Sequence, residues 1–349
     1  MAEPGGAADA RRRRARSRLL VAVLAFLVVL GAAVGTFVLM TPRGPGPGEG
    51  AAPSPSASSA PSASSGASLP AAPSGALNIL VMGSDIRGNA REAIAAQEAG
   101  GGTTDQRADM IMLVHVDAAH RRVFGISVMR DTWVDIPGHG PSKINASLAL
   151  GGPQLVVETV SSLLSVRINH WALLDFDGFK AVTDALGGVD VDVPLAFTAS
   201  FDTHHVFTQG VNHLDGQAAL EFVRERYSFP DGDYQRVRDQ QAFIRSLLAQ
   251  LLTTGRVRGP AEAIGAVGLA MPYLIADSGL DATGAAALGY GLRDVDLASS
   301  AFFTLPTLGT GTSADGQSIV VPDYPGIAEV AAALASDRVG EYASAHGHS

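Results

Sequence analysis

Two aspartates and a handful of arginines carry most of the chemistry that this chain of 349 residues can offer. Asp85 follows the apolar run LNILVMG (77–83), Asp109 precedes MIMLVHV (110–116), and Arg130 follows VFGISVM (123–129). The short DAAHR turn between the last two runs favours antiparallel neighbours. Three strands pairing up, down and up would bring Asp85, Asp109 and Arg130 out at one edge. Two carboxylates, completed by water and phosphate oxygens, are a usual way of holding Mg²⁺, and an arginine beside them suits a phosphate. The plainer alternative is that strand ends are polar and that aspartates belong in turns.

Two further groups of arginines follow. In VRERY (223–227), Arg224 and Arg226 would share a face if the segment is extended; a solvated charged strand that includes Glu225 gives the same pattern. GDYQRVRDQQAFIRSLLAQLL (232–252) opens a helix, with Asp233 as its N-cap and a buried stripe of Val237, Ile244, Leu248 and Leu251. Arg236 and Arg238 then fall in the first turn, where each cation opposes the helix dipole by ~0.3–1 kcal/mol. A bound anion reverses that sign. Gln240 lies four residues after Arg236, on the same face. The alternative is that Arg236 and Arg238 merely pair with Asp231, Asp233 or Asp239.

Several chemistries are excluded. With no cysteine there is no thiol nucleophile and no Cys-ligated zinc or iron–sulfur site. His204, His205 and His213 lack a third ligand at metal spacing. No nucleophile elbow, Walker A loop or dinucleotide glycine pattern occurs.

The elements that must position these residues read as strands at 77–83, 110–116, 123–129, 170–176, 189–193 and 319–321, and helices at 153–164, 177–186, 217–223 and 234–252. Mixed elements with one antiparallel meander predict a three-layer α/β/α domain around a mixed sheet. Its expected limits are 77–325, followed by a C-terminal helix and tail (326–349). Ahead of it, 1–18 is a basic tail with six arginines, and 19–40 is an uncharged apolar run of ~33 Å as helix, enough for one transmembrane crossing. The arginines predict an N-terminus inside and an extracytoplasmic domain. Residues 41–76 are dominated by Pro, Gly, Ser and Ala and are expected to be a disordered linker, with a coil span of roughly 30–35 Å. The formal net charge is −9, and removing the arginine-rich tail makes the remainder more acidic still. Such a domain has no general affinity for nucleic acid.

The ordered motifs NILVMGSDIR (78–87), RADMIMLVHVD (107–117), SVMRDTWVDIPGHGPSKIN (127–145), GGPQLVVETV (151–160), DFDGFKAVTDALGGVDVDV (175–193), LDGQAALEFVRERY (214–227) and GDYQRVRDQQAFI (232–244) resemble the LytR–CpsA–Psr family of bacterial envelope proteins. Met129, Ile86 and Asp239 depart from its usual pattern; the last stands where an arginine is frequent, beside Arg238. The resemblance implies a membrane-anchored phosphotransferase that moves a glycopolymer from a polyprenyl-pyrophosphate carrier onto peptidoglycan. It implies that Asp85 and Asp109 hold Mg²⁺ (or Mn²⁺) and that Arg130, Arg224, Arg226, Arg236 and Gln240 hold the pyrophosphate, with Arg87, Lys143 and Arg238 in support. The general base is left open, with Asp85 and Asp109 as its candidates. The rival functions are a pyrophosphatase using water as acceptor, and a non-catalytic lipid-binding or regulatory protein.

Overall fold

The computed structural model describes residues 69–70, 73–85, 90–100, 105–253, 260, 263–264, 267–268 and 271–348. The basic tail, the expected membrane helix, most of the expected linker and Arg87 lie outside these residues. Among the described residues no helix is long and apolar enough to cross a membrane.

The strands are β1 (Leu77–Ser84), β2 (Ala108–Val116), β3 (Val123–Val128), β4 (Trp133–Ile136), β5 (Gly140–Lys143), β6 (His170–Asp175), β7 (Val189–Val193), β8 (Phe197–Thr198), β9 (Val206–Phe207), β10 (Gly210–Leu214), β11 (Leu274–Ala276), β12 (Ala301–Thr304), β13 (Thr307–Thr312) and β14 (Ser318–Pro322). The helices are α1 (Ala90–Glu98), α2 (Ala146–Leu164), α3 (Phe176–Ala185), α4 (Gly216–Arg224), α5 (Asp233–Thr253), α6 (Ala282–Gly291), α7 (Tyr324–Ala335) and α8 (Val339–Ala345). Six strands form a central sheet in the order β11-β6-β1-β2-β3-β12. It is mixed: β1–β2 and β2–β3 are antiparallel, as the short turn predicts, whereas β1–β6 and β3–β12 are parallel.

Strand β1 shows how the layers arise. Alternate side chains point to opposite faces of a strand. Leu77, Ile79 and Val81 enter one core with Val182, Phe222, Phe243 and Leu288 of α3 to α6. Leu80 and Met82 enter a second core with Ile94, Val156, Val160, Val330 and Tyr342 of α1, α2, α7 and α8. A sheet that is apolar on both faces needs helices on both, and it has them.

Four expectations are corrected. The helix expected at 153–164 is the second part of α2; Gly151 and Gly152 (φ 68°) interrupt the helical backbone just before Pro153, so a kink reads in sequence as a start. The limit drawn at 325 cuts through α7, and α7 and α8 are part of the core rather than a tail. The last residues of the expected linker rest on the domain, since Leu69 packs against the first core and the Gly75 carbonyl accepts from His120 Nε2 at 3.1 Å. VRERY is not an extended segment. Arg224 closes α4, Glu225 takes extended angles, and Tyr227 begins a turn.

Candidate active site

The site is built at one edge of the sheet, where β1 and β3 end and β2 begins. Pairing runs Gly83↔Met110 and then Ser84↔Ala108, so Asp109 has no residue opposite it. This bulge lies inside β2, not before it as the apolar run suggests, and a bulge re-aims the side chain it carries. Asp109 accepts from Arg130 Nη1 at 2.6 Å. Asp85, one residue past β1, accepts from the Arg107 amide at 3.2 Å. Burial, then the negative charge of Asp109, pushes the Asp85 carboxyl above its ordinary range.

Helix α5 brings in the second component. Asp233 is its first residue, because the Arg236 amide bonds to the Gly232 carbonyl. It does not act as the expected N-cap; its carboxylate gathers three guanidiniums. Arg236 Nη2 lies 3.0 Å away, Arg130 Nε 3.4 Å and Arg226 Nη1 3.4 Å. Arg130 thus spans the edge, touching Asp109 with one nitrogen and approaching Asp131 and Asp233 with another.

Electrostatics distinguish the two buried arginines. Burial pulls Arg130 down, but Asp109, Asp233 and Asp131 outweigh it, and its proton is held more tightly than usual. At Arg236, which is 5% exposed, burial wins over Asp233, and Arg130 adds like-charge repulsion. An arginine does not deprotonate in a protein, so a bound anion would relieve the imbalance. Orphaned polar atoms mark the same region: Ser84 Oγ, Arg130 Nε, Asn145 Nδ2 and Arg236 Nε are buried without a hydrogen-bond partner. Asn145 sits directly under the edge, its amide on the Arg130 carbonyl and its carbonyl accepting from Ala108. Buried polar groups are normally satisfied, so such a concentration calls for an explanation.

An apolar cavity of about 70 Å³ lies beside this cluster between the sheet and α3, α4 and α5. Val81, Leu174, Phe179, Leu220, Phe243 and Ile244 line it, and Asp109, Arg224 and Gln240 also border it. Arg224 does not join the Asp233 cluster. It pairs with Asp202 at 3.1 Å, and its guanidinium lies 4.3 Å from the Phe176 ring centroid. Gln240 donates to the Val223 carbonyl at 3.1 Å, which ties α5 to the end of α4. At the start of α4, a Cβ on Gly216 would come within 2.4 Å of the Lys180 carbonyl oxygen, so only glycine lets α4 pack this closely on α3.

Lys143 reaches the site through Asp131 at 3.5 Å. Arg238 does not; it is half exposed and bonded to Asp231 and Gln235. Sequence reasoning missed Asp233 as an organiser, Asn145, and Glu225, which is fully buried and accepts from the amides of Arg226, Tyr227 and Ser228. Only Asn145 had a sequence signal, its place at the end of the SKIN segment (142–145).

As a place for a divalent cation, the edge offers two neighbouring carboxylates and, among the described residues, no cluster of three metal-ligating side chains. That donor set fits Mg²⁺, which commonly takes one or two carboxylates and completes its shell with water and substrate phosphates.

Comparisons with known proteins agree with this architecture. The sequence profile of the LytR_cpsA_psr family matches residues 52–335. The polyisoprenyl-teichoic acid–peptidoglycan teichoic acid transferase TagU of Enterococcus faecalis is 35% identical over 162 residues, 46% of this chain and 52% of that protein. Regulatory protein MsrR of Staphylococcus aureus is 32% identical over 219 residues, 63% of this chain and 62% of that protein. The matches therefore span between half and two thirds of these relatives. The crystal structure of B. subtilis TagV superimposes with a TM-score of 0.65 at 25% identity, over 76% of this chain and 98% of that one. TagT bound to LI-WTA gives 0.56 at 22% identity, over 75% and 90%, a likeness of fold.

Proposed function

The chain belongs to the LytR–CpsA–Psr family, and from that premise we propose that it transfers a glycopolymer from a polyprenyl-pyrophosphate carrier to a hydroxyl of peptidoglycan. One observation carries the reading: three guanidiniums converge on Asp233, beside Asp85 and Asp109, at the mouth of an apolar cavity. A lipid pyrophosphate has those two halves, an anion and an apolar chain. The relatives named as teichoic acid transferases support the substrate class.

The acceptor oxygen forms a bond to the phosphorus that bears the glycopolymer. The bond from that phosphorus to the bridging oxygen breaks, and polyprenyl phosphate leaves with the electron pair. Arg130, Arg226 and Arg236 stabilise charge on the non-bridging and leaving oxygens. Arg224 and Gln240, which border the apolar cavity, sit where lipid and pyrophosphate join. The acceptor's proton passes to a carboxylate. Asp85, held by the Arg107 amide, is freer for this than Asp109, which is bonded to the Arg130 guanidinium. Mg²⁺ held by Asp85 and Asp109 would neutralise phosphate charge. The proposal includes the single-pass anchor at 19–40, with the domain outside the cytoplasm, on the sequence grounds given above.

The test is the double variant Asp85→Asn with Asp109→Asn. Transfer should fall roughly a hundred-fold or more. In EDTA the variant should still bind polyprenyl pyrophosphate, since two negative charges near the anion are gone. Transfer at the wild-type rate would remove both aspartates from the mechanism.

A further inference from the structure

The two oxygens of Asp233 divide the arginine cluster between them. Oδ2 lies 3.0 Å from Arg236 Nη2 and 3.4 Å from Arg130 Nε, while Oδ1 lies 3.4 Å from Arg226 Nη1. Oxygens of one anionic group shared by converging guanidiniums are also the way a phosphate is held. The carboxylate is within reach of solvent, since it and Arg226 border an open cavity of about 420 Å³.

We propose that Asp233 is a specificity residue, a resident anion that competes for the three guanidiniums so that the site retains a lipid pyrophosphate and releases a lipid monophosphate; this rests on the transferase reading above. The first argument is that the arginines have other anchors. Arg130 is bonded to Asp109. Arg226 donates to the Tyr227 hydroxyl and lies 4.5 Å from that ring's centroid. Arg236 is buried to 5% exposure. Asp233 is therefore not what places them, and its charge is left as its contribution. The second argument is what the reaction needs. Transfer turns a bound pyrophosphate into a monophosphate on the same prenyl chain, so apolar contacts hold donor and product alike. Release has to be decided at the anion site. Three guanidiniums without Asp233 would grip either anion. With it, every ligand meets a like charge beside the cations. A pyrophosphate has two phosphates to set against that one carboxylate, and a monophosphate has one. The third argument is that donors remain for the stronger ligand: Arg130 Nε and Arg236 Nε are buried without a hydrogen-bond partner.

The probes are farnesyl pyrophosphate and farnesyl monophosphate, which carry the same chain. Both are titrated in EDTA against wild type, Asp233→Asn and Asp233→Glu. Wild type should prefer the pyrophosphate by at least ~30-fold. Asp233→Asn should bind the monophosphate at least ~10-fold more tightly, and its preference for the pyrophosphate should fall by ~5-fold or more. Asp233→Glu keeps the charge and should stay within about threefold of wild type for both probes. A purely organising role has the opposite sign, with both affinities weakened in Asp233→Asn. That result, or an unchanged preference, would overturn the proposal. So would equal binding of the two probes by wild type, a measurement that needs no variant to fold. The underlying transferase reading fails separately, if Arg226→Ala and Arg236→Ala keep wild-type affinity for farnesyl pyrophosphate.

Discussion

Helices α4 and α5 both take charge out of water, and they finish the job to different degrees. On α4, Glu221 is fully buried and accepts from Thr203 twice, from the His205 amide and from Gln217. Glu225, just past its end, accepts from Ser200 and from three successive amides. Burial pushes both carboxyls up, and these donors more than offset it, so both lie below the ordinary range. On α5, Arg236 keeps an orphaned nitrogen, and Asp239 keeps an orphaned oxygen. Burial pushes the Asp239 carboxyl up to about 7 against a single hydrogen bond from Gln235. A satisfied buried charge builds structure; an unsatisfied one is held in readiness for a ligand or a proton.

The largest effect should come from the satisfied side. Glu225→Ala strands several buried donors, and a loss of about 3–5 kcal/mol is expected in urea unfolding. Stability near wild type would mean that the amides of 226–228 find water instead. The next effect carries a sign. Asp239 has a raised folded-state pKa, so its contribution to stability is complete below the unfolded value near 3.8 and is lost as pH rises to about 7. Between pH 4 and pH 8 the wild type should lose on the order of 3 kcal/mol that Asp239→Asn retains. Parallel pH–stability curves for the two proteins would show that Asp239 is solvated after all. The smallest is a contrast between neighbours on α5. Arg236→Ala should weaken pyrophosphate binding by ~1.5–3 kcal/mol with little change in melting temperature, whereas the exposed pair made by Arg238 is worth ~0–1 kcal/mol and Arg238→Ala should leave binding intact. Equal losses for both would dissolve the distinction between buried and exposed arginines.

This contrast also measures what the sequence discloses. The β1–β3 meander was legible because buried strands write themselves as apolar runs and a five-residue turn leaves few choices; Asp85, Asp109 and Arg130 followed from it. The bulge at Asp109 was not, since one unpaired residue leaves the apolar pattern intact. Asp233 reads as a helix cap because an aspartate before a helix usually is one, and its link to Arg130 crosses about a hundred positions of chain. The pairing of Glu225 with Ser200 and of Arg224 with Asp202 depends on how loop 199–205 lies on α4. Nothing local in either segment encodes that. Asp239 was noted only as a departure from pattern, and its burial is a property of the fold around it.

Strand β1 sets a lever arm. The chain enters it at Leu77, where the Gly75 carbonyl is already fixed by His120, and reaches Asp85 only after eight residues, ~26 Å away at strand rise. Whatever holds the N-terminal side therefore holds the far end of the domain from the chemistry. A lipid carrier stays in its bilayer, so on the proposed reading the domain must pivot to bring its working edge down to the surface.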